Sequence, residues 1–209
     1  MKIIPLGLQC SVPEGIKRAG LREYSYAFDW LWTPSKTTYM ILNILINEGV
    51  EKALDFMTTG YSYYIYNGNE HYSYIGNKCT NLPIYQMNSN SGLGITHYDV
   101  EVDKDKFKRR LERLYQDIKT EELLLIYADA ANPYSNYHLD DIEYGLDATE
   151  DLIKIHELIY QHNPKVKIVY FCWNKRIGNS ELIEYIPYDF KNTWHEVSDI
   201  IKNYLEANL

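Results

Sequence analysis

The residues best placed to do chemistry lie at the start of the chain. A short apolar segment, residues 3–8, is followed at once by Gln9 and Cys10, and residues 12–19 then have the spacing of a helix. At the first turn of a helix, backbone N–H groups and the positive end of the dipole favour a thiolate over a thiol, which lowers a cysteine pKa from about 8.5. The sequence therefore predicts a nucleophilic thiol at Cys10.

A cysteine hydrolase also needs an imidazole that handles the proton and an acid that orients the ring. His97 ends a predicted strand, and Asp99, two residues later, would point to the same face. His195, near the start of the final predicted helix, has the placement used by SGNH-type esterases, although Asp189 lies six residues before it rather than three. The other histidines are interpreted as surface or boundary residues: His71, His138, His156 and His162.

Asp29 stands between two large aromatic residues, which makes it a candidate buried carboxylate. A buried carboxylate needs hydrogen-bond donors or a cation to offset its desolvation. In one interpretation Asp29 caps the backbone or pairs with Arg22 and shapes the site from behind. In the other it is the third member of a site with Cys10 and His97. Gln9 is a candidate oxyanion donor beside the Cys10 N–H.

The composition argues against several functional classes. The net charge is −8, and even the densest basic run, residues 104–113, is interleaved with acids, which disfavours nucleic-acid binding but leaves a local basic pocket open. Three widely spaced cysteines offer neither a disulfide framework nor a metal knuckle, and we expect no metal or other cofactor. No apolar run is long enough for a membrane span and no secretory signal is evident, so we expect a cytoplasmic protein without a membrane partner.

The last third of the chain predicts the fold class. Residues 123–127 and 166–172 are continuous apolar runs, and residues 149–161 and 194–206 have helical spacing. Strands that are apolar on every side must be covered on both faces, which indicates parallel pairing with helices on both sides. We therefore expect a single α/β domain over residues 1–209, a layered sheet of mostly parallel strands with helices on both faces.

The middle of the chain has a different pattern. Residues 60–102 are rich in tyrosine and punctuated by turn residues, which predicts a β-rich insertion of short strands. We interpret its tyrosines as strand formers with half-buried rings, the alternative being a stacking surface for a sugar or base. Helices are predicted before it at 36–46 and 50–56, and after it at 103–119, where apolar residues recur every three or four positions.

Several short motifs, taken in order, resemble those of a family of papain-like cysteine peptidases of unknown function. They are Leu6-Gly7-Leu8-Gln9-Cys10, Leu21-Arg22, Phe28-Asp29-Trp30, the segment 97–99 and the pair Arg109-Arg110. The resemblance implies that Cys10 is the nucleophile and His97 the base. It implies Asp99 or Asp29 as the orienting acid, and Tyr98, which departs from the family's histidine-aspartate pattern, leaves that choice open.

Two functions follow from these residues. The first is a cysteine-dependent hydrolase or acyltransferase that acts on an amide, isopeptide or ester of a peptide or small-molecule substrate. The second is a non-catalytic protein that binds a nucleotide, sugar or peptide in the same cleft, with Cys10 as a packing residue. The loop after residue 128 follows the carboxyl end of a strand, where open α/β sheets bind ligands. The predicted ligand-binding residues are Gln9, Asn132, Tyr134 and His138.

Overall fold

A computed structural model describes most of the chain. It covers residues 1–8, 10–59, 61–67, 70–73, 84–88, 94–95, 102–129, 148–173, 180–189 and 191–209, with the backbone alone at Trp32 and in the strands between 61 and 95. The strands are β1 (Lys2–Gly7), β2 (Leu31–Trp32), β3 (Tyr61–Asn67), β4 (Glu70–Ser73), β5 (Ile84–Asn88), β6 (Gly94–Ile95), β7 (Leu123–Ala128), β8 (Val166–Trp173) and β9 (Ile183–Tyr188). The helices are α1 (Ser11–Arg18), α2 (Ser35–Asn47), α3 (Val50–Thr58), α4 (Lys104–Thr120), α5 (Thr149–Tyr160) and α6 (Trp194–Asn208).

Four of these strands form a parallel sheet in the order β1-β7-β8-β9, with every pair parallel. The predicted α/β layered fold is confirmed. Strand β9 was not predicted; it lies at an edge of the sheet and mixes buried, half-buried and exposed residues. Pro187 lies within it, and an edge strand tolerates a residue without a backbone N–H.

Helices cover both faces of this sheet, as predicted. On β7, the side chains of Leu123, Leu125 and Tyr127 belong to a core shared with α2, α3, α4 and α5. The alternate residues of the same strand, Leu124, Ile126 and Ala128, belong to a second core with α1 and α6. Because successive side chains of a strand point to opposite faces, one apolar run supplies both cores. The predicted helix bounds agree with the observed ones to within two residues at each end.

The strands expected in the Tyr-rich region are present as backbone. They form an antiparallel sheet in the order β2-β6-β5-β3-β4, which β2 joins from the segment before α2. The role of the tyrosine side chains stays a prediction. In the described parts of the chain, no helix has the length and hydropathy needed to cross a membrane.

The close packing of α1 against α6 depends on Gly15. A Cβ placed on Gly15 would lie 2.7 Å from Ile201 Cγ2 and 2.9 Å from the Ser198 carbonyl oxygen. Both distances are shorter than a van der Waals contact. The two helices therefore approach so closely at Gly15 that only glycine fits. This packing helps to hold α1, the helix that follows Cys10, against the sheet.

Replacing Gly15 with alanine should destabilise the fold, because the added methyl group would push α6 away from α1. Overpacking of this kind costs about 1 to 3 kcal/mol, which is more than the helix propensity gained by alanine. Urea unfolding monitored by circular dichroism measures the change. Lys17→Ala, on an exposed position of the same helix, is the control and should stay within about 0.5 kcal/mol. Equal stability of Gly15→Ala and the natural chain would contradict the close approach.

Candidate active site

Cys10 lies where the chain passes from β1 into α1. The Leu8 N–H donates to the Ala128 carbonyl at 3.2 Å, so the chain stays attached to the end of β7 as it leaves β1. Cys10 is the N-cap residue of α1, and its carbonyl accepts from the Glu14 N–H at 3.1 Å. The partly buried thiol therefore sits at the carboxyl edge of the parallel sheet and at the start of a helix, the position that the sequence predicts.

Gly7 brings a second segment against this edge. Its φ is +116°, a conformation that side chains strongly disfavour, and an added Cβ would lie 2.6 Å from the Thr33 carbonyl oxygen. Nearby, the Thr38 hydroxyl donates to the Leu6 carbonyl at 2.9 Å. The end of β1 is thus fixed against the segment that leads into α2, which also carries Asp29.

The environment of Cys10 opposes ionisation of the thiol. Burial raises the pKa of Cys10 to about 11, and the Glu14 carboxylate one turn along the helix adds to the rise, while hydrogen bonding to the backbone at Cys10 acts in the opposite direction. The described surroundings of Cys10 therefore act against the expected lowering of its pKa. Desolvation outweighs the favourable start of the helix because little water reaches the sulfur to stabilise a negative charge.

Asp29 is fully buried and pairs with Arg22. The Arg22 Nη2 group donates to Asp29 Oδ2 and to the Ser25 hydroxyl, the latter at 2.8 Å. The guanidinium also lies over the ring of Trp30, 5.4 Å from its centroid. Burial raises the pKa of Asp29, and the Arg22 charge acts against that rise. The first interpretation of Asp29, a carboxylate paired with Arg22, agrees with this geometry.

Three buried polar atoms on the segments that flank β1 and β2 have no hydrogen-bond partner within the described part of the chain. They are Ser11 Oγ, Asp29 Oδ1 and Thr33 Oγ1, each on a residue that is 0% exposed. Ser11 follows Cys10 directly, and Thr33 touches Gly7. Folded proteins satisfy the great majority of such atoms, so these three are candidate contacts for polar groups of a ligand.

Asp129 is a candidate site residue that the sequence analysis missed. It follows β7 directly and is 2% exposed. Its Oδ1 accepts from the Tyr170 hydroxyl at 2.7 Å, and its Oδ2 accepts from the Trp173 N–H at 2.9 Å. Because Gly7 of β1 pairs with Tyr127 of β7, Asp129 leaves the sheet beside the segment that carries Cys10. A polar residue at the end of a central apolar strand is the signal that could have found it.

Two tyrosines hold Asp129 in place. The Tyr188 hydroxyl donates to the Asp129 backbone carbonyl at 2.7 Å, while Tyr170 donates to the carboxylate. Burial raises the pKa of both tyrosines, and the nearby Asp129 charge adds to the effect. Both hydroxyls are therefore protonated donors at neutral pH, Tyr170 to the carboxylate and Tyr188 to the backbone carbonyl of Asp129.

His195 lies away from Cys10. Its Nδ1 is 2.9 Å from Arg18 Nη2, and its ring stacks on Trp194 with the centroids 3.7 Å apart. Arg18 is the last residue of α1, whereas Cys10 precedes the first, and an eight-residue helix is about 12 Å long. The esterase-like placement of His195 beside the nucleophile is therefore absent. The interpretation of His156 as a surface or boundary residue also needs correction: it is only 8% exposed, and burial lowers its pKa.

The remaining predicted site residues lie outside the described residues. They are the base His97, the acid Asp99 and the ligand-binding candidates Gln9, Asn132, Tyr134 and His138. Their roles stay predictions. Among the residues with described side chains, no group of three or more histidine, cysteine, aspartate or glutamate residues has the geometry of a metal site.

Fold and site together define an α/β protein with a cysteine at the start of a helix, an arrangement suited to a cysteine hydrolase. The family model described as "Putative papain-like cysteine peptidase (DUF1796)" matches residues 1–143, and the chain belongs to that family. Comparison with curated proteins gave no match, and comparison with solved structures gave none either. The matched region contains Cys10, Asp29 and Asp129, and the resemblance drawn from the sequence motifs is confirmed at the level of the family.

Replacing Asp29 with alanine should destabilise the protein, because Arg22 would keep its charge without the buried carboxylate. Breaking a buried ion pair from one side costs about 3 to 5 kcal/mol, and since the Arg22 side chain is 20% exposed we expect about 2 to 3 kcal/mol. Chemical unfolding measures the loss. Asp29→Asn, which keeps the shape and one acceptor oxygen, should lose less.

Lys108→Ala is the matched control for this experiment. It breaks the exposed pair between Lys108 and Glu51, which solvent screens, so we expect little change in stability. A loss for Asp29→Ala no larger than that for Lys108→Ala would show that the Arg22–Asp29 pair does not stabilise this region.

Alkylation of Cys10 by iodoacetamide should accelerate steeply with pH. Only the thiolate reacts, and with a pKa of about 11, four units above neutrality, about one thiol in ten thousand is ionised at pH 7. We expect the rate to rise about tenfold per pH unit until the pH approaches the pKa. Peptide mass mapping at a series of pH values measures it. Cys172, 0% exposed in β8, is the internal control and should label more slowly at every pH. A Cys10 rate that levels off below about pH 8 would contradict the raised pKa.

Proposed function

We propose that this protein is a cysteine-dependent hydrolase or acyltransferase that uses Cys10 to attack the carbonyl of an amide, isopeptide or ester. The observation that carries the proposal is the position of Cys10, at the N-cap of α1 and the carboxyl end of β1, within the region that matches the peptidase family. Open α/β sheets bind ligands at this edge.

The reaction begins with a proton transfer. Because the thiol is protonated at rest, a base must take its proton as the sulfur attacks, and His97 is assigned that role. The sulfur bonds to the carbonyl carbon, and the carbonyl oxygen becomes an oxyanion. A helix leaves its first N–H groups without carbonyl partners, so those of Ser11 and Val12 are the assigned oxyanion donors.

The second half of the reaction releases both products. The bond from carbon to the leaving nitrogen or oxygen breaks, and the leaving group takes the proton back from the imidazolium. Water then attacks the thioester, which yields a carboxylic acid and restores the Cys10 thiol. An amine or alcohol in place of water gives acyl transfer instead.

Asp99 is assigned as the acid that orients His97, because Asp29 already pairs with Arg22. Asp29 then acts as a positioning residue that fixes the segment against Gly7. Asp129 lines the proposed substrate site with a carboxylate whose position is fixed by hydrogen bonds from Tyr170 and Trp173. The unpartnered Ser11 and Thr33 hydroxyls are available to the polar groups of a bound substrate.

A second candidate function is supported by the raised pKa of Cys10. A thiol that is almost fully protonated is typical of a packing residue, so the same cleft would suit a non-catalytic protein that binds a nucleotide, sugar or peptide. The two candidates differ in whether Cys10 forms a covalent intermediate.

Reaction with p-nitrophenyl acetate tests for that intermediate. We expect a burst of p-nitrophenolate and an acetyl group on Cys10, located by peptide mapping, and loss of both in Cys10→Ala. His97→Gln should slow acylation by about 10² to 10⁴-fold, the usual contribution of a general base. His162→Gln, at an exposed histidine after α5, is the matched control and should stay within about twofold. Acetylation that bypasses Cys10, or equal rates for His97→Gln and His162→Gln, would support the binding protein instead.

A further inference from the structure

A basic pocket lies at the end of α1 opposite Cys10. This cavity, of about 660 Å³, is bordered by the C-terminal end of α1, the segment 20–25 and α4. Six cationic side chains line it: Lys17, Arg22, Lys106, Arg109, Arg110 and Arg113. Glu23 is the acidic residue in this lining, and it is engaged with Lys2 at 2.5 Å. Cations therefore outnumber acids in the lining of this pocket, in a chain whose net charge is −8.

The four cations on α4 come from one face of the helix. Lys106, Arg109, Arg110 and Arg113 are spaced by three, one and three residues, which places them on neighbouring turns of the same side. Like charges at such spacing repel one another and weaken an isolated helix. Arg110 is only 8% exposed, which adds a desolvation cost. A bound anion would relieve both costs.

Neighbouring acids compensate part of the positive charge of the pocket, and a backbone carbonyl orients one of its guanidinium groups. Lys106 pairs with Asp103 at 2.6 Å, Lys17 with Glu14 at 3.6 Å, and Arg22 with the buried Asp29 carboxylate. The charge of Asp29 also interacts with Arg110. Arg113, by contrast, donates through Nη1 to the Ser25 backbone carbonyl at 2.6 Å, a neutral acceptor that fixes the guanidinium without cancelling its charge.

The pocket's chemistry favours phosphate. Guanidinium groups present a planar fork of N–H donors that matches phosphate oxygens, and several held side by side favour a ligand with more than one negative charge. The cavity volume lies within the range of about 300 to 1,000 Å³ that is usual for small-molecule sites and exceeds what a single phosphate group needs. We propose that the basic pocket binds the phosphate groups of a small phosphorylated molecule of about nucleotide size.

Isothermal titration calorimetry on the full chain tests this proposal, with ATP, pyrophosphate and the tricarboxylate tricarballylate as probes. We expect ATP and pyrophosphate to bind and tricarballylate to bind at least tenfold more weakly. Tighter binding of ATP identifies a nucleotide ligand, and equal binding of pyrophosphate identifies the diphosphate group alone; either result supports a phosphate site. Affinity should fall as salt is raised, because the contacts are ionic.

Arg109→Gln is the main variant, because Arg109 is exposed and its loss should leave the fold intact. We expect ATP affinity to fall about tenfold or more, as for a lost charge-assisted hydrogen bond. Lys104→Gln, which removes the same charge from an exposed position of α4 outside the pocket lining, should stay within twofold. Thermal unfolding of each variant checks that the fold is unchanged.

Four results would overturn the proposal. They are the absence of binding heat with ATP and pyrophosphate, tricarballylate binding as tight as ATP binding, equal losses for Arg109→Gln and Lys104→Gln, and tighter binding of a single-stranded oligonucleotide than of ATP. Cys10→Ala should keep full ATP affinity, so a failure of the phosphate site is distinguishable from a failure of the catalytic proposal.

Discussion

The parallel pairing of β1 with β7 is the constraint on which the site depends. Residues from Lys2 to Pro5 pair in register with Leu123 to Ile126, and a shift then pairs Gly7 with Tyr127. Because the two strands run in the same direction, the chain segments that carry Cys10 and Asp129 leave the sheet at one edge. Each strand is apolar on both faces, so the helices on either side hold this edge in place.

Burial at this edge disfavours the charged form of the Asp29 carboxyl as well as that of the Cys10 thiol. Asp29 and Asp129 are almost fully enclosed, and each is stabilised by a specific donor set, Arg22 for the first and Tyr170 with Trp173 for the second. Hydrogen bonds and ion pairs of this kind are stronger where water is excluded. The same exclusion of water raises the pKa of Cys10 to about 11. A reaction at this sulfur therefore requires proton removal during the attack rather than before it.

Elements that one continuous stretch of sequence specifies could be predicted, whereas contacts between residues far apart in the chain could not. The strands β1, β7 and β8 and the helices are encoded locally, in apolar runs and helical spacing, and they were predicted closely. Strand β9 was missed because its mixture of buried, half-buried and exposed residues gives neither a continuous apolar run nor a strict alternation. Pairing of Asp29 with Arg22 was one of the alternatives that the sequence left open, because a carboxylate among aromatic residues needs hydrogen-bond donors or a cation. Asp129 was missed because Tyr170 and Trp173 lie more than forty residues further along the chain.

The overall charge of the chain does not describe the electrostatic environment of its sites. At an ionic strength of about 0.1 M the Debye length is about 10 Å, so exposed charges further away than that contribute little to the potential in a pocket. Four of the six cations of the basic pocket lie in α4, within the densest basic run of the sequence. Lys17 and Arg22 come from α1 and the segment 20–25, which are distant in sequence, so the run alone does not indicate a pocket. Cys10, about one helix length away at the other end of α1, is instead next to Glu14. Helix α1 therefore has Cys10, whose surroundings disfavour a thiolate, at its start and the basic pocket, which favours anions, at its end.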